Sequence, residues 1–383
     1  MAQSTNPIRV VVVGGSYAGS GALKTLYAAS KSQIPSMHIT LIDQGTHYFH
    51  MIGFPKAIVD LAYAAKSFLP FANLPCHQFI CARMTSVLDA HHLQLDNGDT
   101  VEFDYLVLAT GSRTPAPSKV QGKSKEDGLA EITRLSVAIE AAKSVLVIGG
   151  GAVGVEIAGQ IAAKYSGSDK QVTIVHGGDR LLPAYYKSGL SSATVSKLKQ
   201  LGVRVVLNER VDVPEDFGFE SHIGHAVLKG ASGDEYSSDV QILATGLRTE
   251  SDFLGPLEQD SEEPLRTDHG TIRVLPTMQM RGPYTNIFVP GDNNDYPVSC
   301  KYGFKAEMQG DVAAANIKKL IQGKPLGNWS DWVDAIFVPI GPKMGVAQVV
   351  GLVVPSLIAD WTVRLAKSGD YFLWLVKTHY KGL

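Results

Sequence analysis

The sequence contains few cysteines, few charged residues and no excess of basic over acidic residues. Its 383 residues include three cysteines, too few for a disulfide scaffold, which favours a reducing compartment. Charged residues make up 19% of the chain, below the roughly 25% typical of soluble domains, and 45% of it is apolar. This balance of apolar and charged residues excludes intrinsic disorder. At roughly 150 residues per domain, the length of the chain suggests two or three domains. Lys plus Arg number 35 against 37 for Asp plus Glu, so we expect no nucleic-acid partner.

The chain also lacks a long uninterrupted hydrophobic run. The longest charge-free apolar stretch, residues 344–359, is broken by Gln348, Gly351 and Pro355. A membrane-spanning helix needs about 20 apolar residues, so this stretch is predicted not to span a bilayer. The first residues show no secretory signal, and Ala2 in place of glycine excludes N-myristoylation. We therefore expect a cytoplasmic protein.

Aromatic and basic side chains alternate after this apolar stretch. They are Trp361, Arg364, Lys367, Tyr371, Phe372, Trp374 and Lys377. Such a mixture beside an apolar segment suits peripheral contact with a membrane surface, on a bilayer or a lipid droplet. The alternative is a tail that packs on the protein's own core.

Residues 8–43 show the pattern of a strand, a glycine-rich turn, a helix and a second strand. The β-branched run Ile8–Val13 predicts a buried parallel strand. The turn contains Gly14, Gly15, Ser16, Ala18 and Gly19, and the second strand ends in Asp43. This arrangement predicts a dinucleotide site in which Asp43 binds ribose hydroxyls, the alternative being an Asp43 that only caps a turn. Ser16 replaces the middle glycine, where a positive φ would strain a serine.

The same pattern recurs in a second unit, whose turn contains Gly149, Gly151, Val153 and Gly154. We place Glu156 on the first turn of the following helix, able to bond the nicotinamide ribose or carboxamide. The alternative is an acid that only suits the helix dipole. The second strand ends in His176, with Arg180 nearby. An acid there would repel the 2′-phosphate of NADPH by about 4 kcal/mol, so histidine predicts that NADPH is accepted, with NADH as the alternative.

Three further strands run into glycine turns, where the backbone can approach a ligand closely. These turns contain Ala109, Thr110 and Gly111, then Thr245 and Gly246, and finally Gly291 and Asp292. A helix is predicted over residues 301–320.

Two dinucleotide sites on one chain predict a resident FAD in the first and a visiting NAD(P)H in the second. The expected fold class is α/β, with two Rossmann-like dinucleotide-binding domains and a small C-terminal domain. We assign the FAD domain to residues 1–114 and 246–322. The NAD(P)H domain covers residues 115–245 and the C-terminal domain residues 323–383. Residues 118–127 and 249–252 form the crossovers, and no metal site is predicted.

The spacing of Cys76 and Cys81 is that of a redox disulfide, but the surrounding pattern argues against one. In an extended segment, positions five apart face opposite sides and cannot bond. No histidine–glutamate pair lies near the C-terminus, where His379 precedes YKGL. We therefore expect two buried small hydrophobic residues.

The motifs IRVVVVGGSYAG, HYFH, LVLATGS, VLVIGGGAVGVEIAGQI, VTIVHGG, IFVPGD, AAANI and VRLAKSGDYF occur in this order. Together they resemble the ferroptosis-suppressor branch of the apoptosis-inducing-factor-like flavoproteins over nearly the whole chain. The chain looks like a fungal-type member rather than the myristoylated animal form. The resemblance implies the glutathione-reductase-like fold with two dinucleotide-binding domains and a C-terminal domain near the flavin. It also implies NAD(P)H:quinone oxidoreduction, with ubiquinone-like or vitamin-K-like acceptors at a membrane surface.

The resemblance also implies roles for individual residues. Glu156 looks like the nicotinamide-binding glutamate, and Lys301 like the lysine before the flavin-facing helix. Lys367 and Phe372 lie in the motif that borders flavin and quinone, and Asp292 resembles the acid that binds the ribityl chain. His47 and His50 lie near a predicted flavin loop, where each can serve as a proton donor to quinone or as a structural histidine.

Two alternative functions remain at this level. One is a monooxygenase or reductase of specialised metabolism that uses the same cofactors. The other is an interaction or death-signalling protein with a structural flavin and weak oxidase activity. Both a monomer and a homodimer are compatible with the sequence.

Overall fold

A computed structural model describes residues 7–116, 118–297, 301–331 and 335–380. Ala2, which entered the predictions above, and Cys300, the third of the three cysteines, lie outside the described residues. The strands are β1 (Ile8–Val13), β2 (Met37–Asp43), β3 (His47–Phe49), β4 (Phe68–Pro70), β5 (Gln78–Cys81), β6 (Met84–Val87), β7 (His92–Leu95), β8 (Thr100–Glu102), β9 (Tyr105–Leu108), β10 (Ser112–Arg113), β11 (Ser144–Ile148), β12 (Gln171–Val175), β13 (Arg204–Val206), β14 (His222–Lys229), β15 (Glu235–Leu243), β16 (Arg248–Thr249), β17 (Ile287–Phe288), β18 (Ala335–Ile340), β19 (Met344–Val349) and β20 (Leu352–Val353).

The helices are α1 (Tyr17–Ser32), α2 (Phe54–Ala57), α3 (Leu61–Lys66), α4 (Lys125–Ala141), α5 (Ala152–Lys164), α6 (Ser188–Gln200), α7 (Gly255–Gln259), α8 (Gly303–Ile321), α9 (Ser356–Val363) and α10 (Leu373–Lys377). A π-helical turn, Arg364–Ser368, follows α9 directly.

Two five-stranded sheets dominate the fold. The first has the order β17-β9-β1-β2-β5 and is parallel throughout, with Ile8 opposite Met37. The second has the order β13-β12-β11-β15-β14 and is parallel except for β14, with Ser144 opposite Gln171. A small antiparallel sheet, β18-β19-β20, lies near the C-terminus. The predicted α/β class is therefore confirmed, while the exact domain limits stay predictions.

Helices α1 and α8 pack against each other with their backbones close together. A Cβ on Gly310 would lie 2.0 Å from Ala18 O, and one on Gly21 would lie 2.5 Å from Glu307 O. Only glycine fits such an approach, so these two residues set the distance between the helices. The contact fixes the glycine turn before α1 relative to the N-terminus of α8.

Two details of the secondary structure differ from the predictions. Helix α8 begins at Gly303 instead of residue 301, because Tyr302 is extended (φ −110°, ψ 148°). Within the described residues, Cys76 and Cys81 form no bond to each other, as expected, but Cys81 is exposed and Cys76 is half-buried. The prediction of two buried cysteines was wrong because β5 is the edge strand of its sheet.

The apolar residues 344–359 do not form one element. They cover β19, a turn, β20 and the beginning of α9. Among the described residues, no helix combines the length and the apolar character that crossing a bilayer requires.

Candidate functional site

The two glycine turns share one backbone geometry. Gly14 has φ +94°, and a Cβ there would lie 2.4 Å from Ala109 O; Gly149 has φ +120°, and a Cβ there would lie 2.2 Å from Ala244 O. A Cβ on Gly19 would lie 1.8 Å from Gly14 O, so the start of α1 packs directly on the turn. Glycine is therefore required at these positions by sterics before any ligand is considered.

The middle position of each turn behaves differently from the outer two. Ser16 has φ −72° and Gly151 has φ −70°, and each is the extended residue that precedes its helix. The strain expected for Ser16 is therefore absent, because this position does not require a positive φ. Serine is also a favourable residue immediately before a helix.

A cavity of about 320 Å³ lies beside the first glycine turn. Predicted cofactor residues line it, namely Gly14, Ser16, Asp43, Ala109, Thr110 and Gly111, and so does His47. The cavity wall also includes four cations that the predictions did not select: Arg83, Arg113, Lys119 and Lys123. A second cavity of about 460 Å³, near Glu131, Arg134 and Glu220, contains none of the predicted site residues in its wall.

Asp43 is held at the end of β2 by the glycine turn. Its Oδ2 accepts a hydrogen bond from Gly15 N–H at 2.9 Å, and its Oδ1 accepts one from Gly45 N–H at 3.0 Å. Burial in the cavity wall raises the pKa of Asp43, against the lowering effect of these hydrogen bonds. Each carboxylate oxygen keeps a lone pair for a ribose hydroxyl.

Lys119 is a site residue that the sequence predictions missed. Its Nζ donates to Ser112 O at 2.5 Å, and the carboxylates of Asp43 and Asp292 both act on it electrostatically. Burial lowers the pKa of Lys119, while these carboxylates oppose the shift. The residue lies in the crossover 118–127, where no repeating pattern marks it.

The donor set of this cavity fits the adenosine diphosphate part of FAD. Backbone N–H groups at a helix N-terminus and nearby cations suit the pyrophosphate, and Asp43 suits the ribose. In the described part of the chain, the buried hydroxyl of Tyr48, which lines the cavity, also has no hydrogen-bond partner. A buried polar atom of this kind is normally satisfied, so it is available to a ligand.

Asp292 and Lys301 lie together beyond β17, after the Gly291 turn with its φ of +100°. Ser112 Oγ donates to Asp292 Oδ2 at 2.7 Å. Lys301 Nζ donates to Asn294 O at 3.0 Å and also to Asp292 O. Burial lowers the pKa of Lys301. The backbone of this turn therefore anchors the lysine in front of α8.

Glu156 and Lys367 form a buried ion pair. Lys367 Nζ lies 2.6 Å from Glu156 Oε1 and donates to Phe337 O at 3.1 Å. The side chains are 4% exposed for Glu156 and 13% for Lys367. Burial raises the pKa of Glu156, and Lys367 opposes this shift. Helix α5 begins at Ala152, so Glu156 lies on its second turn and the first-turn placement was wrong.

Tyr371 and Phe372 connect this pair to the first glycine turn. Both are left-handed, with φ of 54° and 66°, a conformation uncommon for non-glycine residues. His50 Nε2 donates to Tyr371 O at 2.7 Å, and Gln160 donates to the Tyr371 hydroxyl at 2.8 Å. Packing of the buried Tyr371 therefore determines the backbone around Phe372.

His50 is buried with both ring nitrogens engaged. Because Nε2 donates to a carbonyl oxygen, Nδ1 is the acceptor for the Tyr17 hydroxyl, 3.2 Å away. Burial lowers the pKa of His50 to about 4. This geometry is that of a neutral structural histidine; its role as a proton donor stays a prediction.

The second glycine turn contacts His176 in the same way as the first glycine turn contacts Asp43. Gly150 N–H donates to His176 Nδ1 at 3.2 Å, as Gly15 N–H donates to Asp43. Burial lowers the pKa of His176, which agrees with a neutral ring that accepts at Nδ1. Arg180 Nη2 donates to Ala184 O at 2.5 Å.

The surroundings of this second turn are more open than those of the first. The three predicted residues Val153, Thr245 and Gly246 are all exposed. An exposed turn suits a nucleotide that binds and leaves, whereas the walled cavity at the first turn suits one that stays bound.

Residues 8–312 match the pyridine nucleotide-disulphide oxidoreductase family. The chain belongs to this family. Family members typically bind FAD and NAD(P)H. The chain is an oxidoreductase that depends on these two cofactors.

Curated relatives are similar over almost the full length of this family member. The human ferroptosis suppressor protein 1 is 26% identical, over 96% of this chain and 94% of its own. Apoptosis-inducing factor homolog B of Dictyostelium discoideum is 26% identical, over 95% of each chain. Fe-regulated protein 8 of Mycosarcoma maydis is 29% identical, over 89% of this chain and 88% of its own.

A solved structure shows the same fold. The sulfide:quinone oxidoreductase of Aquifex aeolicus superposes with a TM-score of 0.71 at 18% identity, over 97% of this chain and 92% of its own. At this identity the similarity concerns the fold alone.

Proposed function

We propose that this protein is an NAD(P)H:quinone oxidoreductase with a resident FAD. The observation that carries the proposal is the buried Glu156–Lys367 pair, which joins the helix after the nicotinamide turn to the C-terminal segment. When bound, flavin supplies two-electron chemistry, taking a hydride from a reduced nicotinamide and giving two electrons to a quinone. The kinship with human ferroptosis suppressor protein 1 and the apoptosis-inducing factor homologues supports this assignment.

The chain's own residues divide the work of binding between two sites. The first glycine turn, Asp43 and Lys119 hold the adenosine diphosphate part of FAD. Asp292 and Lys301, which lie together beyond β17, would bind the remainder of the cofactor. The second turn binds the pyrophosphate of the nicotinamide nucleotide at the N-terminus of α5.

The buried ion pair positions the nicotinamide side of the reaction. Lys367 opposes the rise in pKa that burial causes for Glu156 and so favours the carboxylate form, whose oxygens can accept hydrogen bonds from a carboxamide or a ribose. Tyr371 and His50 keep the backbone next to Phe372 in its left-handed conformation. Phe372 then forms an apolar border where a quinone ring can stack.

The second site favours NADPH as a donor. His176 stands where a carboxylate would repel the 2′-phosphate, and its Nε2–H remains available because Nδ1 accepts from Gly150. Arg180 lies on the same loop and adds positive charge.

Steady-state kinetics test the proposal. NADPH and a soluble short-chain quinone are varied together, and quinol formation is measured. A parallel-line pattern with stoichiometric quinol supports the proposal. An oxygenated product in place of quinol would instead indicate a monooxygenase, and slow turnover with every quinone would indicate a structural flavin.

A further inference from the structure

The C-terminal part of the chain exposes an unusual amount of apolar surface. Nine large apolar side chains, here called the C-terminal apolar surface, are exposed between residues 349 and 375: Val349, Val350, Leu352, Leu357, Ile358, Trp361, Leu365, Trp374 and Leu375. Another nine exposed large apolar residues are scattered between Leu61 and Phe304. Scattered apolar side chains need no explanation, but a concentrated group of this kind marks an interaction surface.

Helix α9 is apolar on both of its faces. Ala359 and Val363 are buried against the protein. Leu357, Ile358 and Trp361 point outward, with exposures of 85%, 54% and 64%. A helix that lies between a protein core and water normally has a polar outer face. The outer face of α9 is therefore built to contact an apolar phase.

The ionisable groups around this surface leave a positive charge. Residues 341–380 contain two acids, Asp360 and Asp370. Asp360 Oδ1 pairs with Lys197 and accepts from Gly345 N–H at 2.8 Å. Asp370 accepts from Phe372 N–H at 3.1 Å and from Trp374 N–H at 3.0 Å. Both carboxylates are thus engaged within the protein.

The basic groups of the same stretch remain at its surface, except for Lys367. Lys343 and Arg364 are exposed and Lys377 is half-exposed. Helix α6, which packs beside β19, contains no acid and contributes the exposed Lys199 near its end. The C-terminal apolar surface therefore has a cationic rim.

We propose that the C-terminal apolar surface docks onto an anionic phospholipid bilayer. Leu357, Ile358 and Trp361 enter the boundary between headgroups and acyl chains, and the basic rim meets the phosphates. Exposed tryptophans such as Trp361 and Trp374 are typical of this boundary. A second copy of the chain fits less well, because a symmetric dimer would place Arg364 and Lys343 against like charges without carboxylates to pair them.

The docking surface lies next to the candidate site along the chain. From α9 the backbone passes through Lys367 and then through Tyr371 and Phe372. If the proposed function holds, on which this step rests, a lipid-soluble quinone reaches Phe372 directly from the bilayer. The docking itself does not depend on that function.

Vesicle flotation of the full-length, FAD-loaded protein tests the docking. We expect the wild type to float with vesicles of phosphatidylcholine and phosphatidylserine, and to float less with phosphatidylcholine alone. The double variant Leu357→Glu/Ile358→Glu should bind at least about tenfold less, because two apolar side chains that would lie in the lipid are lost from the contact. Val137→Glu, at an exposed apolar position on α4, is the matched control and should float like the wild type.

Tryptophan fluorescence provides a readout that does not depend on a disruptive variant. Brominated acyl chains should quench the emission of the wild type. Trp332, the fourth tryptophan of the chain, lies outside the described residues and is therefore replaced by phenylalanine in both proteins that are compared. In that background the quenching should be lost in the conservative variant Trp361→Phe/Trp374→Phe, because the remaining Trp329 is buried within the protein. Quenching that persists in this variant would contradict the assignment of the surface.

Other outcomes overturn the proposal. One is a wild type that floats with neither kind of vesicle, and another is a double variant that floats like the wild type. A third is a wild type that is a dimer and binds no vesicles, together with a double variant that is a monomer. Turnover of a soluble quinone without vesicles separates the two proposals. It should be equal in the wild type and the double variant. If the protein floats with vesicles but shows no turnover, the proposed quinone reductase activity is refuted and the proposed membrane docking still holds.

Discussion

Lys367 Nζ lies 2.6 Å from Glu156 Oε1, although 211 positions separate the two residues. Both side chains are buried, so removing either one would leave the other without its ion-pair partner away from water. The contact connects α5, which begins at the second glycine turn, with the segment that contains Tyr371 and Phe372. The ion pair therefore joins two parts of the chain that are distant in sequence at the proposed site of the reaction.

Replacing Lys367 with methionine should damage both stability and turnover. The unpaired Glu156 carboxylate would be buried without a partner, a loss that typically costs about 3–5 kcal/mol. We expect the free energy of unfolding to fall by this order and kcat/KM for NADPH to fall at least about tenfold. Denaturant unfolding and initial rates measure the two effects.

The double variant Lys367→Met/Glu156→Gln separates these effects. It removes the unpaired charge, so stability should recover while turnover should not. Lys377→Met, on α10, is the control and should match the wild type with a soluble quinone. Full activity in the double variant would show that the pair has only a structural role.

Exchanging His176 for aspartate should reverse the nucleotide preference. At the corresponding end of β2, the Asp43 carboxylate accepts a hydrogen bond from Gly15 N–H, as His176 accepts one from Gly150 N–H. The aspartate variant should therefore fold normally. The new charge repels the 2′-phosphate of NADPH and can bind both ribose hydroxyls of NADH. We expect the ratio of kcat/KM for NADPH to that for NADH to fall at least about tenfold. An unchanged ratio would mean that His176 does not face the adenosine ribose.

Lys119→Met should weaken the binding of FAD. A hydrogen bond to a charged group contributes about 1.5–3 kcal/mol, which corresponds to about a tenfold to hundredfold loss of affinity. Titration of the apoprotein with FAD, followed by flavin fluorescence, measures this loss. Lys143→Met, an exposed lysine outside the cavity, should bind FAD like the wild type. Equal affinities of the two variants would remove Lys119 from the site.

The buried His50 should make stability depend on pH. Its pKa is about 4 in the folded protein against 6.5 for the free side chain, so the unfolded chain binds more protons between these values. The contribution of the neutral His50 to the free energy of unfolding is therefore complete above pH 6.5 and is lost as the pH falls toward 4. At about 1.4 kcal/mol per pKa unit, the loss is about 3 kcal/mol.

Unfolding of the wild type and of His50→Gln across this range isolates the effect, since glutamine keeps a side-chain N–H for Tyr371 O. We expect the difference in unfolding free energy between the two proteins to narrow toward pH 4. A constant difference would show that His50 titrates normally.

The repeating parts of the fold were predictable from the sequence because local patterns determine them. The β-branched run before Gly14 and the recurrence of the same turn at Gly149 predict two parallel sheets. The strain assigned to Ser16 was wrong because spacing does not reveal which residue of a turn has a positive φ. Cys81 was placed in the core because the order of strands, which puts β5 at an edge, is a tertiary property.

The site itself depends on contacts that no local pattern contains. The interpretation of Glu156 considered only its own helix, whereas its partner is in the C-terminal segment. Lys119 lies in a crossover whose sequence has no periodicity, and only the tertiary structure brings it near Asp43 and Asp292. Both His50 interpretations were open until the structure placed Tyr371 O and the Tyr17 hydroxyl on its ring nitrogens.

Anaerobic stopped-flow spectroscopy of the purified flavoprotein tests the central claim most directly. NADPH is mixed with the protein, the flavin absorbance is followed, and a quinone is then added to the reduced sample. The account predicts rapid bleaching by NADPH and full recovery of the absorbance with the quinone. Bleaching that is slow with both NADPH and NADH, or a reduced flavin that no quinone reoxidises, would contradict it.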